Sequence, residues 1–482
     1  MRRGRIRIAV CLAALIGGAF ASQDAPIRLE SRRELFVDHY LIERLDNARL
    51  VLHEPRDEGP ALAFDKPWEG AFSGYVTIIR DGDVYRAYYR GLPSSRQDGT
   101  SAETTCVAES RDGIRWTKPE LELFEVGGAK ANNVVWAGDP PTSHNFSPLL
   151  DSRPGVDPAE RYKALTGTDR SGLFAFVSPD GLRWRKLRPE PVFTKGMFDS
   201  QNVAFWSESE RLYVMYFRIW SGGGWEGFRT VGRTTSPDFV HWSEPEAMTF
   251  GGTPMEHLYT QQTHPYFRAP HIYIAVAARF MPGRQVLTEE QARQAGVDPD
   301  YFKDCSDAVL MTSRGGSAYD RSFMESFIRA GIGPKNWVSR SNYPALNVVP
   351  TGSHEMSIYV NQDYAQPTAH LRRYSLRVDG FASLNAPYAG GEMVSKVLSF
   401  GGERLFLNFA TSAAGEIRIE IQTPEGEPIS GFALADCPPI IGNEIEREAA
   451  WTGGPSLKRL VGRPVRLRIT LKDADLYSIQ FR

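Results

Sequence analysis

Two acidic side chains carry the chemistry that this sequence most directly supports. Glu69, in Trp68-Glu69-Gly70-Ala71-Phe72-Ser73, and Asp199, in Phe198-Asp199-Ser200-Gln201-Asn202, each stand just before a β-type run. Breaking a glycosidic bond needs one carboxylic acid to protonate the leaving oxygen and a second carboxylate as nucleophile or base. Glu69 and Asp199 are the expected pair, their order unassigned. Glu103, which opens another β-type run after a long loop, is a third candidate, with Glu256 and Asp38 behind it. The polar residues at equivalent places suit a hydroxylated ligand. His144, Asn145, Gln201, Asn202, Gln262 and Asn342 offer donors and acceptors side by side, as sugar hydroxyls require. Arginine ends three second strands, at Arg90, Arg218 and Arg279, and Arg340 adds a fourth guanidinium. Arg218 and Arg340 are expected either to bind charge on an anionic sugar or to orient the catalytic carboxylates. Trp220, Trp225, Trp337 and Tyr364 fall in loops where they could stack on sugar rings.

A repeat positions these residues. Ser110-Arg111-Asp112-Gly113-Ile114-Arg115-Trp116 returns as Ser178-Pro179-Asp180-Gly181-Leu182-Arg183-Trp184 and as Ser236-Pro237-Asp238-Phe239-Val240-His241-Trp242. Decayed copies stand at Ser313–Tyr319 and Val378–Phe381. A period of about sixty to seventy residues marks one supersecondary unit repeated around an axis. Each copy follows β-type runs, so the unit is a small antiparallel sheet and five units make a five-bladed β-propeller. Asp-Gly supplies a tight turn, and Trp116, Trp184 and Trp242 are expected to pack between blades. The first strand of each blade lines the channel, so the segments just before these strands meet at one mouth. Glu34 to Ile42 alternates like a strand and is expected to complete the last blade and close the ring.

After about Ala386 the repeat stops, and alternating runs with Gly and Pro turns predict a β-sandwich over 386–482. The expected class is thus all-β, a five-bladed propeller over 30–385 followed by a C-terminal β-sandwich. One insertion, Met281 to Ser306, carries a capping box at Thr288–Gln291 and a stop at Gly296, which predicts a short helix over one face.

The chain has 482 residues and a formal net charge of -2, with no basic stripe, so nucleic acid is not an expected partner. Met1 to Arg7 holds four arginines before a short apolar run ending at Ala19-Phe20-Ala21. That pattern predicts a signal peptide over 1–21 and a periplasmic or secreted protein, with no other membrane segment. Cys106, Cys305 and Cys437 are too sparse for a disulfide framework and are expected to be inert thiols. His144, His257, His264 and His271 lack zinc-ligand spacing, there is no Gly-x-Ser-x-Gly elbow or phosphate loop, and no metal or cofactor is expected.

Glu34-Leu35-Phe36-Val37-Asp38, Phe64-Asp65-Lys66-Pro67-Trp68-Glu69-Gly70 and Arg340-Ser341-Asn342-Tyr343-Pro344-Ala345-Leu346 carry a resemblance. With the repeats and the trailing sandwich, they look like the superfamily of glycoside hydrolase families 32 and 43, in the exported bacterial branch near family 32. The resemblance implies a propeller with carboxylates at its mouth and a carbohydrate substrate, neutral or anionic. The Trp-x-Asn-Asp-Pro, Arg-Asp-Pro and Glu-Cys motifs of family 32 are absent. Glu69, His144-Asn145 and Asp199 stand near their places. The expected function is an exported glycoside hydrolase; the alternative is a propeller that binds carbohydrate without cleaving it.

Overall fold

Short runs rich in β-branched and aromatic residues, cut by Asp-Gly and Gly turns, fold as strands because their branched faces pack on a pleated surface. The structure, a computed structural model, describes residues 25–482. The expected signal peptide lies outside the described residues. Among the described residues no helix is long and apolar enough to cross a membrane.

Five antiparallel sheets surround a channel. Blade 1 runs from the axis outward as Gly74–Asp81, Val84–Gly91, Thr104–Ser110 and Val134–Trp136. Blade 2 is Ser147–Leu150, Tyr162–Thr168, Gly172–Ser178 and Arg185–Lys186, and blade 3 is Val203–Ser207, Leu212–Trp220, Arg229–Ser236 and Glu246–Ala247. In blade 4 the inner edge is broken. His257–Thr260 and Thr263–Tyr266 both pair with Ala269–Met281, and Cys305–Ser313 lies outside. Blade 5 likewise sets Tyr343–Pro344 and Val349–Pro350 against Glu355–Gln362, followed by His370–Arg377.

The strand that closes the ring is Arg56–Ala63, which pairs with His370–Arg377. This corrects the expectation for Glu34–Ile42. Arg33–Leu35 pairs instead with Arg466–Phe481 of the sandwich. The reason is that this segment is buried on both sides: Leu35 and Val37 join the core of blades 4 and 5, while Phe36 joins the sandwich core. A ring-closing edge strand needs only one buried face. Arg56–Ala63 fits that need, with Leu62 buried among mostly exposed neighbours.

The sandwich is built from both halves of the chain. Arg466–Phe481 lies beside Leu405–Gln422, Gly391–Ser395 and Ala382–Ala386, and Ile42–Asp46 and Arg49–Leu52 flank the last two. Residues Ile27–Leu52 therefore sit in the C-terminal module, although the sequence pattern placed everything from residue 30 in the propeller. The expected insertion helix is present as Glu289–Ala295, with the Thr288–Gln291 capping box and Gly296 in a left-handed conformation. Leu287, Ala292, Tyr301 and Phe302 pack with Phe72 and Tyr364, so the insertion is a fixed wall.

The repeated turn has the same wiring three times. Asp180 Oδ1 accepts the N–H groups of Leu182 and Arg183, each at 2.8 Å, and Ser178 Oγ accepts from Gly181 at 2.9 Å. Asp112 and Asp238 hold their turns in the same way. Trp184 packs on Tyr88 of blade 1 and Trp116 on Tyr359 of blade 5, so each turn clamps the preceding blade. Trp116 does not start the outermost strand of blade 1, which is Val134–Trp136. Gly181 has φ 75°, and a Cβ there would stand 2.5 Å from the Tyr88 hydroxyl. Gly181→Ala should therefore cost about 1–3 kcal/mol, from backbone strain plus overpacking, and lower the midpoint of thermal unfolding followed by circular dichroism. An unchanged midpoint would show that the clamp is dispensable.

Candidate active site

At one mouth of the channel lies a cavity of about 820 Å³. Its lining includes Tyr75 of blade 1, His144 before blade 2, Asp199 before blade 3, Arg340 before blade 5, and Tyr301 from the insertion. Asp98 and Asp169, from loops of blades 1 and 2, complete its acidic side. The mouth assigned to the segments preceding the inner strands is thus the one that bears the cavity.

Behind the cavity wall runs a line of ionisable groups. The Glu103 carboxylate is fully buried; its Oε1 accepts the Asn145 N–H at 3.0 Å, and its Oε2 accepts the Gly99 N–H at 2.6 Å and lies 2.9 Å from His144 Nδ1. On the far side of the ring, His144 Nε2 is 3.6 Å from Asp199 Oδ1 and 3.0 Å from Asn145 Nδ2. The two protonation states of His144 therefore face different partners. The neutral ring, with its proton on Nδ1, accepts from the Asn145 amide; the charged ring turns an N–H towards Asp199. Burial pushes the His144 pKa down, but the charge of Glu103 and the hydrogen bonds to Asp199 and Glu103 outweigh it and bring it up to about 10. The ring is an imidazolium through the neutral range.

Asp199 is the half-exposed end of this line. Burial pushes its carboxyl up, but His144, Arg218 and Arg340 hold it well below the usual carboxylate range. Its Oδ2 lies 3.4 Å from Arg218, and its backbone N–H donates to Asp169 at 3.0 Å. Arg218 is buried and lies over the rings of Trp225 and Tyr259, at 5.7 and 5.5 Å from their centroids. The arrangement keeps a carboxylate ionised at neutral pH and open to a ligand, as a nucleophile or general base must be.

Other expected site residues lie elsewhere. Glu69 is fully buried and does not line the cavity. Its Oε1 accepts from Tyr89 at 2.6 Å, and its Oε2 accepts from Lys66 N–H at 3.0 Å and from Lys118 at 2.6 Å. A carboxylate so enclosed is an anchor for Lys118, and it does not face Asp199 across the cavity. Gln201 and Gln262 fill the channel axis. Gln201 donates to Thr77 of blade 1 at 2.8 Å, and Gln262 donates to Gln201 and to the Pro344 carbonyl of blade 5, each at 2.7 Å. They tie four blades together below the cavity. Asn202 donates to Phe198 and Ser200 carbonyls, and Asn342 to those of Ser306 and Asn336. Both are buried and occupied in holding loops. Asn145 is buried too, and acts on His144 and the Ser200 carbonyl. Glu256 is paired with Arg279 and Arg321, and Asp38 with Arg314. Tyr75, Asp98, Asp169 and Tyr301 were not singled out from the sequence. Tyr75 has a left-handed backbone, φ 51°, at the start of its strand, a feature that no residue pattern announces.

No family model and no curated protein sequence matches this chain. Among solved structures it is similar to an N-acetylgalactosamine deacetylase from F. plautii in complex with blood group B trisaccharide, at 12% identity and TM-score 0.46, covering 69% of this chain and 96% of that one. It is also similar to a family 32 β-fructofuranosidase from Bombyx mori, at 11% identity and TM-score 0.42, covering 88% and 94%. A third is a β-1,2-mannobiose phosphorylase from Listeria innocua, at 9% identity and TM-score 0.42, covering 69% and 98%. The five-bladed propeller is established by the sheet order itself, and no residue of this chain takes a role from these proteins.

The raised His144 pKa has a measurable sign. The stability that the ring gains from Glu103 and Asp199 is fully present below about pH 6.5 and is lost as pH rises through about 10. Imidazole NMR should place the His144 titration near pH 10 and show it moving down towards about 6.5 in Glu103→Gln. A wild-type titration near 6.5 would break the Glu103–His144–Asp199 line.

Proposed function

We propose that the protein is a glycoside hydrolase of the propeller type, with Asp199 as its nucleophile or general base. The observation that carries this reading is the Asp199 carboxylate, half-exposed to a large polar and aromatic cavity and kept ionised by His144 and Arg218. Glu103 is a positioning residue in this reading: it fixes the His144 ring, which in turn fixes Asp199. Tyr75 and Tyr301 offer aromatic surface, and Asp98, Asp169 and Arg340 offer the polar groups that hydroxyls need. We also propose export, on the arginine-led apolar run of residues 1–21.

A second reading, a propeller that binds carbohydrate without cleaving it, has its own observation. Glu69 is sequestered by Lys118, and Asp98 accepts from Arg90 at 2.7 Å.

Product release from neutral and acidic oligosaccharides decides between the readings. Wild type should cleave, and Asp199→Asn should lose about a hundredfold or more in kcat/KM while keeping its fold. Glu69→Gln should lose stability with little change in kcat/KM per folded molecule. Cleavage that survives Asp199→Asn would remove Asp199 from the machinery; binding without cleavage by wild type would establish the second reading. The pH profile gives an independent check. With Asp199 held low and His144 at about 10, kcat/KM should show no carboxylate limb between about pH 4 and 6 and should fall only on the alkaline side.

A further inference from the structure

The guanidinium groups around the cavity are not equivalent. Arg90 is paired with Asp98 at 2.7 Å, Arg218 with Asp199 at 3.4 Å, and Arg96 with Asp300, while Arg170 on the cavity rim is solvent-exposed. Arg340 also lines the cavity, but among the described residues no carboxylate oxygen lies within 4.0 Å of its guanidinium. It is held by ring faces, with its guanidinium carbon 5.0 Å from the Tyr301 centroid and 5.5 Å from that of Tyr259; its one hydrogen-bond acceptor in the protein is the Tyr301 hydroxyl at 3.3 Å. Aromatic faces stabilise a guanidinium without using its N–H edge, so the planar fork stays free for two oxygens of an oxyanion. Asp199 feels the charge of Arg340 but is paired with His144 and Arg218 and lies more than 4.0 Å from the Arg340 guanidinium, so it leaves that N–H edge open.

A second observation points to the same spot. A recess of about 10 Å³ adjoins the cavity and shares Tyr75 and Arg340 with it. It is also lined by Tyr343 and Asn361. The Tyr343 hydroxyl and both polar atoms of the Asn361 amide are buried and have no hydrogen-bond partner within the protein. Whichever way the amide is turned, it offers a donor there. Two buried donors left unmatched, the Tyr343 hydroxyl and the Asn361 amide N–H, beside an unpaired guanidinium mark a place built for an acceptor. The recess has room for one oxygen atom. Arg340 itself sits on a left-handed backbone, φ 62°, as does Asn342, φ 64°, so the linker between blades 4 and 5 is bent to present this side chain.

We propose that Arg340, Tyr343 and Asn361 form an anion subsite, and that the sugar bound in the cavity carries a carboxylate or a sulfate ester. One oxygen of that group enters the recess and accepts from Tyr343 and Asn361, while another accepts from Arg340. This deepens the glycoside hydrolase reading and rests on it only for the identity of the ligand as a sugar.

Calorimetric titration tests it with D-galacturonate, D-glucuronate and galactose 6-sulfate against galactose and glucose, and with inorganic sulfate alone. The anionic sugars should bind at least tenfold tighter than their neutral counterparts. Arg340→Gln should erase that preference, and Tyr343→Phe, which removes one hydroxyl and keeps the ring, should reduce it. Preference for the uronates identifies a carboxylate, and preference for the sulfated sugar identifies a sulfate ester. Equal binding of neutral and anionic sugars, no binding by any probe, a preference that survives both substitutions, or inorganic sulfate binding as tightly as the sugars would each overturn the proposal. Cleavage assays separate it from the hydrolase reading. Cleavage without anion preference leaves the enzyme and removes the subsite, whereas anion preference without cleavage of any uronide or sulfated oligosaccharide leaves the subsite and removes the enzyme.

Discussion

The carboxylate of Asp379, fully buried where ring and sandwich meet, accepts from the Tyr266 hydroxyl at 2.8 Å and from Arg268 at 3.0 Å, at the turn that follows the inner strand of blade 4. It also accepts from Arg33 of the N-terminal segment at 3.3 Å, and from Ser478 and Asn408 of the sandwich at 2.7 and 3.0 Å. Three separate parts of the chain converge on this one anion. A buried charge with so many donors is costly to orphan, so removing any charged partner loosens all three parts together. The dependence reaches the cavity through connectivity. Residues 27–52 are fixed in the sandwich, residues 56–63 then close blade 5, and blade 5 carries Tyr343 and Asn361 on its inner strands.

Below the cavity, the ring is held from inside as well. Gln201, Gln262 and Thr77 link blades across the axis, and buried His264 bridges the Gln262 carbonyl and the Val348 N–H. Burial pushes the His264 pKa down to about 4, so this ring is neutral while His144, on the same channel, is charged. The difference lies in the partners: His264 meets backbone groups, and His144 meets two carboxylates. A fixed floor of amides and an electrostatically loaded wall are what allow a half-exposed Asp199 to keep one position without a ligand.

Much of this arrangement was legible in the sequence. The repeated Ser-x-Asp-x-x-x-Trp turn located three blades directly, because its Asx hydrogen bonds and its packing Trp are local. The broken inner strands of blades 4 and 5 were harder, since they are shaped by left-handed residues such as Gln262, Asn342 and Asn347. Asp199, His144 and Arg340 line the mouth because strand order puts the segments before the inner strands there, and Glu103, from a loop between the second and third strands of blade 1, lies behind them. Glu69 shared that position in the chain but not the exposure. Lys118, an exposed-looking lysine far along the loop, folds back to claim it, and long-range pairing of that kind leaves no periodic trace. The amides Gln201, Gln262, Asn202 and Asn342 show the same limit, for a polar side chain at the channel serves the backbone of the next blade as readily as a ligand. Arg56–Ala63 was passed over because one exposed face and a Gly-Pro pair conceal a strand whose partner comes some three hundred residues later.

The interleaving of early and late strands in the sandwich also sets an order of events during synthesis. Residues 27–52 leave the ribosome before any blade, yet their partners lie at 382–400 and 466–481. Blades 1 to 3 consist of consecutive strands and can assemble as they emerge, whereas the early segment must wait, unpaired, for almost the whole chain. The strand that finally receives Arg33–Leu35 is Arg466–Phe481, so the early segment is fixed only by a strand far downstream of every blade. A nascent chain stalled within the sandwich would already hold all five blades and the strand that closes them, with Arg33–Leu35 still lacking its partner.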